Sequence, residues 1–371
     1  MNHYCTYFDR GFLSQGLALW RSLAAHDADS VLWVLALDDF TAEVLREVGG
    51  TWLQVVPLAQ LEAGDLELAA ARANRTRVEY FFTLSPCWPH WLLTQHPEIG
   101  RVTYVDADMF FFGNPELVFA AMEAAGASVL VTAHRFPAWL RHYERHGKFN
   151  VGLLSFRNDA TGRACLDDWR ERCLAWCHDR LEDGKYADQK YLDDWPGRLG
   201  AALLVLEHPG VNLAPWNWAG QRCKITPAGG VNVDGEPLVL VHFARFRPLF
   251  GDWWWQSGQL DYGVMPWRLR NALYGTYWRA LAAARTEIAA RQPGFDFARR
   301  PLRAGREFWR TLPFRVLFGS DWLWVGGGFV SGRLGLGRWS GHLLGTMRMI
   351  FLRRKRTIES ASQNQQRQGL K

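Results

Sequence analysis

No stretch of this chain reaches the roughly 18 uninterrupted apolar residues that a membrane-spanning helix requires, although 48% of its 371 residues are hydrophobic. A spanning segment is therefore not expected. A basic start and an apolar run are also missing from the first positions, where Met1 leads almost directly into His3-Tyr4-Cys5-Thr6. No signal peptide is expected, and the predicted address is cytoplasmic or peripheral on the inner face of a membrane. Cysteine is scarce. Six in a chain of this length do not make a disulfide framework, and a cytosolic address keeps them reduced. Cys173, Cys177 and His178 fall on one predicted helix, but Cys165 only extends it, and a structural zinc site needs a second ligand pair at suitable spacing. Core thiols are the better reading.

Acidic residues nearly vanish from positions 299 to 371, which hold 15 Lys+Arg against 3 Asp+Glu. The remainder, by difference from 43 and 37, carries 28 against 34, so the net charge of +6 hides an acidic body and a basic carboxyl-terminal segment. Such a segment points to an anionic surface, a membrane or a polyanion, with a plain solvated tail as the bland alternative. Its apolar residues Phe314, Leu317, Phe318, Trp322, Leu343, Leu344, Ile350 and Phe351 are interspersed with Arg338, Arg348 and Arg353 to Arg356 and suit an anionic bilayer. A nucleic-acid role is the less favoured choice. Gly335-Leu336-Gly337-Arg338-Trp339-Ser340-Gly341 has the look of a phosphate loop, but no strand leads into it.

What is plentiful is tryptophan, 20 residues of it. Most are expected in the core; the surplus of indole faces also suits stacking on sugar rings. The body alternates strand and helix. Strands are predicted at 3–9, 31–37 and 52–57, with a helix from Leu13 to residue 26 and another over 42–49 capped by Thr41. Further on, strands are predicted at 128–133, 151–156, 203–206 and 238–241, with helices at 115–125 and 160–182. This alternation predicts an α/β fold with a doubly wound, mostly parallel sheet flanked by helices. The chain divides at a change of character into a domain over 1–264 and an extension over 265–371, helical to Arg291 and then basic, aromatic and glycine-rich.

The most telling stretch is Val102-Thr103-Tyr104-Val105-Asp106-Ala107-Asp108-Met109-Phe110-Phe111-Phe112, an apolar strand-like run that delivers two carboxylates one residue apart. Alternation along one strand would send Asp106 and Asp108 to the same side. Two buried like charges repel unless a cation lies between them. Hard oxygens suit Mg²⁺ or Mn²⁺, which takes its remaining ligands from water and substrate phosphates, so the pair points to a diphosphate-bearing substrate. The alternative is a pair of turn or cap residues before Asn114-Pro115. In a doubly wound sheet Asp9, Asp39, Asp106 and Asp108 all fall at carboxyl ends of strands, where ligands bind.

Four more segments are hard to explain by packing alone: Thr6-Tyr7-Phe8-Asp9-Arg10-Gly11-Phe12, Phe149-Asn150-Val151-Gly152-Leu153-Leu154-Ser155-Phe156, Asp188-Gln189-Lys190-Tyr191-Leu192 and Val241-His242-Phe243. Their order, with the paired carboxylates, resembles the GT-A glycosyltransferases, most closely the family 8 type, over roughly residues 3 to 250. That resemblance implies a metal-dependent, anomer-retaining transfer of a sugar from a nucleotide diphosphate donor to a glycan or lipid-linked acceptor.

Carried over, it makes Asp106, Asp108 and His242 the ligands of Mn²⁺ (or Mg²⁺), with imidazole favouring manganese. Thr6, Tyr7 and Asp9 become the base-recognising segment, and a carboxylate that accepts the imide N–H of uracil favours a UDP-sugar. Asn150 is expected to contact the donor sugar and Gly152 to leave room for its ring. Asp188 and Gln189 stand beside the anomeric carbon. Each has a plainer reading: a histidine ending a buried strand, a cap at Asp9, a helix-start cap at Asp188.

Two departures stand out. The arginine common after an aromatic pair upstream of the metal motif is replaced in Tyr80-Phe81-Phe82-Thr83-Leu84-Ser85-Pro86. The glycine and lysine common after the histidine give way to His242-Phe243-Ala244-Arg245-Phe246-Arg247-Pro248, in which Arg245 or Arg247 is expected on the diphosphate. Trp216, Trp218 and Trp253 to Trp255 are candidates for an acceptor platform, with core packing as the alternative.

Two competing functions belong to other classes. A phosphatase of the haloacid dehalogenase type also uses Asp-x-Asp after a strand, with Lys185 or Lys190 and Asp193-Asp194 to complete its set. A noncatalytic glycan-binding protein is the other.

Overall fold

The computed structural model describes residues 1–250, 253–255, 262–295 and 322–324. The hydrophobic and arginine-rich residues assigned above to an anionic bilayer lie outside these, apart from Trp322, as does the glycine-rich stretch at 335–341. No helix among the described residues is long and apolar enough to cross a membrane.

Elements follow one another as β1 (His3–Phe8), α1 (Leu13–His26), β2 (Val31–Ala36), α2 (Asp39–Val48), β3 (Leu53–Pro57), α3 (Leu58–Gly64), α4 (Leu66–Ala71) and α5 (Arg77–Gln95). Then come β4 (Arg101–Val105), β5 (Met109–Phe111), α6 (Glu116–Ala124), β6 (Val129–Ala133), β7 (Phe149–Arg157), α7 (Ala160–Ala175), α8 (Trp195–Leu199) and β8 (Leu203–Val205). Seven strands form one sheet in the order β3-β2-β1-β4-β7-β6-β8. All its neighbours run parallel except β7, which is antiparallel to both β4 and β6. The α/β class with a doubly wound, mostly parallel sheet flanked by helices is therefore the one observed.

From β1 the chain winds outward through β2 to β3, then returns to place β4 on the other side of β1. That reversal opens a crevice beyond the carboxyl ends of β1 and β4, the general place for a ligand in such sheets. Apolar side chains cover both faces. Trp88, Trp169 and Trp195 anchor one layer with α5 and α7, and Leu13, Leu17 and Phe119 anchor the other with α1 and α6. Each such side chain contributes roughly 1.5–3 kcal/mol on burial. The helix Thr276–Arg291 completes the second layer, since Ala284 and Ile288 join it and Arg21 on α1 pairs with Glu287. The first part of the extension is thus continuous with the body's core.

Several local expectations are corrected. The run from Val102 to Phe112 is not one strand. β4 stops at Val105, and Met109 N–H bonds Asp106 C=O at 3.0 Å, so Asp106-Ala107-Asp108 forms a turn into β5. β5 leaves the large sheet and pairs antiparallel with the strand Leu240–His242, His242 standing opposite Met109. Convergence of the two carboxylates comes from this turn, not from alternation along a strand. α2 starts at Asp39, because Asp38 accepts the Thr41 N–H at 2.8 Å and is the cap that Thr41 was expected to be. Asp39 is exposed in its first turn. α7 ends at Ala175, with Trp176 extended, so Cys177 and His178 lie beyond it.

Candidate active site

His242 comes to the crevice at the end of the strand Leu240–His242 and is 6% exposed. Its Nε2 lies 3.1 Å from Asp108 Oδ1 and 3.6 Å from Asp106 Oδ2. One ligand atom from each of these residues falls within 4.8 Å of the others, and no second group of this kind occurs among the described residues. The three side chains predicted as metal ligands are brought together.

The ring of His242 is held from behind. Asn150 Oδ1 receives the Gly152 N–H at 3.2 Å and Asn212 Nδ2 at 3.1 Å, which fixes it as the oxygen. It lies 3.3 Å from His242 Nδ1, so that nitrogen carries a proton and Nε2 is the atom turned toward the carboxylates. A break in the β6–β7 register between Val131 and Thr132 brings Asn150 opposite Thr132 and lets the next residues bulge toward β4. There Gly152 C=O accepts the Asp106 N–H at 3.0 Å. A Cβ on Gly152 would meet Asn150 Oδ1 and Met109 Cε at 2.7 Å and His242 Nδ1 at 2.9 Å. In this structure Gly152 makes room for the histidine ring, and Asn150 spends its oxygen on positioning that ring.

Charge in the triad follows from burial. Burial raises the Asp106 carboxyl, Asp108 adds to the rise, and His242 and the Tyr104 hydroxyl oppose it. Burial disfavours the charged ring of His242, but Asp108 and Asp106 outweigh it and raise its pKa. Two carboxylates therefore draw a proton onto a buried imidazole, the response expected of a site that takes a cation. Trp216 walls the site, its ring 5.1 Å from that of His242 and edge-on at 79°.

Asp188 is buried to 5% exposure. It occupies the cap position of the short 3-10 helix Gln189–Asp194, without a side-chain capping bond into it. Burial raises its carboxyl to about 7, Asp106 adds a like charge, and the Ser85 hydroxyl and neighbouring backbone N–H groups oppose the rise. Gln189 lies beside it, donating Nε2 to His146 C=O at 3.3 Å over Gly147, whose Cβ would meet Gln189 Cγ at 2.9 Å.

The β1 segment is placed at the crevice, but its side chains are largely engaged. Thr6 is fully buried. Tyr7 hydrogen-bonds Ser85 at 3.0 Å. Asp9 Oδ1 accepts the Gly11 N–H at 2.8 Å, the capping role foreseen for it, and Oδ2 pairs with Arg77 at 2.6 Å. Arg245 is exposed in a left-handed turn (φ 64°) shortly after His242 and faces Tyr186. Arg247 begins the next strand, Arg247–Phe250.

Left-handed backbone is uncommon outside glycine, and Arg135, Ala187, Asn212 and Arg245 all adopt it around this crevice. The residues on which a phosphatase would depend are engaged elsewhere. Lys190 pairs with Asp193 at 2.7 Å, Asp194 with Arg172 at 2.9 Å, and Lys185 lies over the Trp176 ring. The buried thiols Cys165, Cys173 and Cys177 are free. His178 lies 3.2 Å from Glu79. Sequence reasoning missed Ser85, Asn212, Arg77 and the positioning role of Asn150, none of which has a local signature.

Two carboxylates and a histidine thus converge at the switch point of a doubly wound α/β sheet, in a group that could hold a metal ion. No family model matches the chain. Two proteins of Bacillus subtilis (strain 168) do: uncharacterized protein YfnF, 34% identical over 253 residues that cover 66% of this chain and 81% of that one, and uncharacterized protein YfnD, 30% identical over 247 residues, 66% and 78%. The chain belongs to the family of these two proteins. Among solved structures it is similar to the galactosyltransferase LgtC in complex with donor and acceptor sugar analogs, at TM-score 0.49 and 14% identity, over 76% of this chain and 95% of that one. It is similar as well to mouse xyloside xylosyltransferase 1, at TM-score 0.39 and 16% identity, over 57% and 87%.

Proposed function

We propose that the chain is a metal-dependent glycosyltransferase that moves a sugar from a nucleotide diphosphate donor, a UDP-sugar first among them, to a glycan or lipid-linked acceptor. The observation that carries this reading is the triad at the switch point: Asp106 and Asp108 with His242 Nε2 at 3.6 and 3.1 Å, the ring turned to them by Asn150.

These donors fit Mn²⁺ or Mg²⁺. Two carboxylate oxygens and an imidazole nitrogen form a hard, mixed set, and burial makes their mutual repulsion costly without a cation. When bound, the ion would offset the negative charge that grows on the departing nucleoside diphosphate.

The chain's own groups do the rest. Asn150 keeps the proton on Nδ1 of His242. Exposed Arg245 is available to a diphosphate emerging from the crevice. Asp188 and Gln189 present a carboxyl and an amide to the oxocarbenium-like centre. Trp216 offers a partly exposed indole beside the metal ligands, suited to an apolar sugar face. Retention of anomeric configuration belongs to the same reading, because no separate base beside a water or acceptor is required when a phosphate oxygen takes the acceptor's proton.

Titration calorimetry with a panel of nucleotides and nucleotide sugars, with Mn²⁺ and with chelator, tests it. UDP or a UDP-sugar is expected to bind with Mn²⁺ and not with chelator, and Asp108→Asn to lose that binding by about 100-fold or more. Equal nucleotide binding in Asp108→Asn and the parent chain would rule out the metal assignment.

A further inference from the structure

Between Asp188 and Asp106 lie three hydroxyl groups, those of Ser85, Tyr7 and Tyr104. Ser85, buried on α5 just before Pro86, contacts the Asp188 carboxyl. Its Oγ lies 3.0 Å from the Tyr7 hydroxyl. Tyr7 in turn meets the hydroxyl of Tyr104, the ring centroids being 5.8 Å apart. Tyr104 donates to Asp106 Oδ1 at 2.8 Å. Four segments distant in sequence, β1, α5, β4 and the turn before Gln189, each contribute one part.

We propose that Ser85, Tyr7 and Tyr104 are positioning residues of this site, a hydroxyl relay that fixes the Asp188 carboxyl relative to the metal-binding carboxylate of Asp106. The proposal rests on the glycosyltransferase reading for the role of Asp188, and on the triad alone for Asp106.

A network of this kind acts as a unit, so removing two members costs less than the sum of removing each.

The test uses the full chain with Tyr104→Phe, Tyr7→Phe, Ser85→Ala and the Ser85→Ala/Tyr7→Phe double variant. Titration of Mn²⁺ alone, followed by its electron paramagnetic resonance signal, reads the Asp106 end. The dissociation constant is expected to rise about tenfold in Tyr104→Phe and about threefold in Tyr7→Phe. Steady-state kinetics with a UDP-sugar reads the Asp188 end. Ser85→Ala and Tyr7→Phe are each expected to lower kcat about tenfold with donor KM within about twofold, the double variant being no slower than the slower single. Ser85→Thr, which keeps the hydroxyl, is expected to recover most of the loss and so separates the relay from a packing defect. Additive losses in the double variant, or wild-type Mn²⁺ affinity in both tyrosine variants, would overturn the relay. The graded loss of Mn²⁺ affinity in a chain that turns over no nucleotide sugar would support the relay at Asp106 and overturn the glycosyltransferase reading instead.

Discussion

Gly152→Ala is expected to weaken Mn²⁺ binding about 100-fold while the chain still folds. The new methyl would stand 2.7 Å from Asn150 Oδ1, 2.7 Å from Met109 Cε and 2.9 Å from His242 Nδ1, each closer than a real Cβ allows. Met109 ends in a flexible methyl and can yield. Asn150 cannot easily, because its amide oxygen is pinned by the Gly152 N–H and by Asn212. The histidine ring must therefore leave its partner, and with it go the tautomer and the direction of Nε2. Backbone retreat is blocked too, since Gly152 C=O holds the Asp106 N–H at 3.0 Å. Overpacking of this kind costs about 1–3 kcal/mol, to be read from urea unfolding. Loss of the histidine's alignment should weaken Mn²⁺ binding by about 100-fold, the upper end for groups that orient a metal ligand. Manganese affinity equal to that of the parent chain would mean that Gly152 does not serve the triad.

The same residue shows what was and was not legible in the sequence. Gly152 stood out because it follows Asn150 in an apolar strand, and a ring was expected above it. In the structure the ring beside it is the protein's own, because β5 and the strand Leu240–His242 pair away from the large sheet and bring His242 next to β7. No spacing in the sequence encodes that pairing. Asp106 and Asp108 were legible as a convergent pair, but period-two alternation was the wrong cause, since Val102 to Phe112 has strand composition throughout and nothing in it marks the turn at Ala107. The helix α5 went unread for a similar reason. Proline is unfavourable inside a helix, and α5 contains Pro86 and Pro89, yet Thr76 and Glu79 close a capping box at its start and the apolar face around Trp88 holds the rest in place. Ser85, the residue that reaches Asp188, lies within that unread helix. The long helix predicted to residue 182 ends at Ala175 because Trp176 turns extended and opens the loop that returns to Asp188. Strand direction was equally hidden: β7 runs antiparallel without any change in its apolar pattern.

Asp188→Asn is expected to stabilise the protein at alkaline pH and to remove its activity. The folded chain holds this carboxyl at about 7 against an ordinary 3.8, first through burial and then through the like charge of Asp106. A carboxyl raised on folding binds its proton more tightly in the folded state. The stability it contributes is complete below pH 3.8 and is lost as pH rises through about 7. The difference amounts to on the order of 4 kcal/mol once both states are ionised. An amide carries no charge to strand, so Asp188→Asn should unfold at higher urea than the parent at pH 8 with chelator present, and the gap should close toward pH 4. Turnover should fall about 100-fold or more in the same variant, as for removal of one group that faces developing charge. A variant less stable than the parent at pH 8 would show that the carboxylate is compensated in the fold and would remove the stability argument. A buried carboxyl that costs the folded chain stability across the neutral range, close to a group that could hold a metal ion, is better explained by a ligand than by the fold.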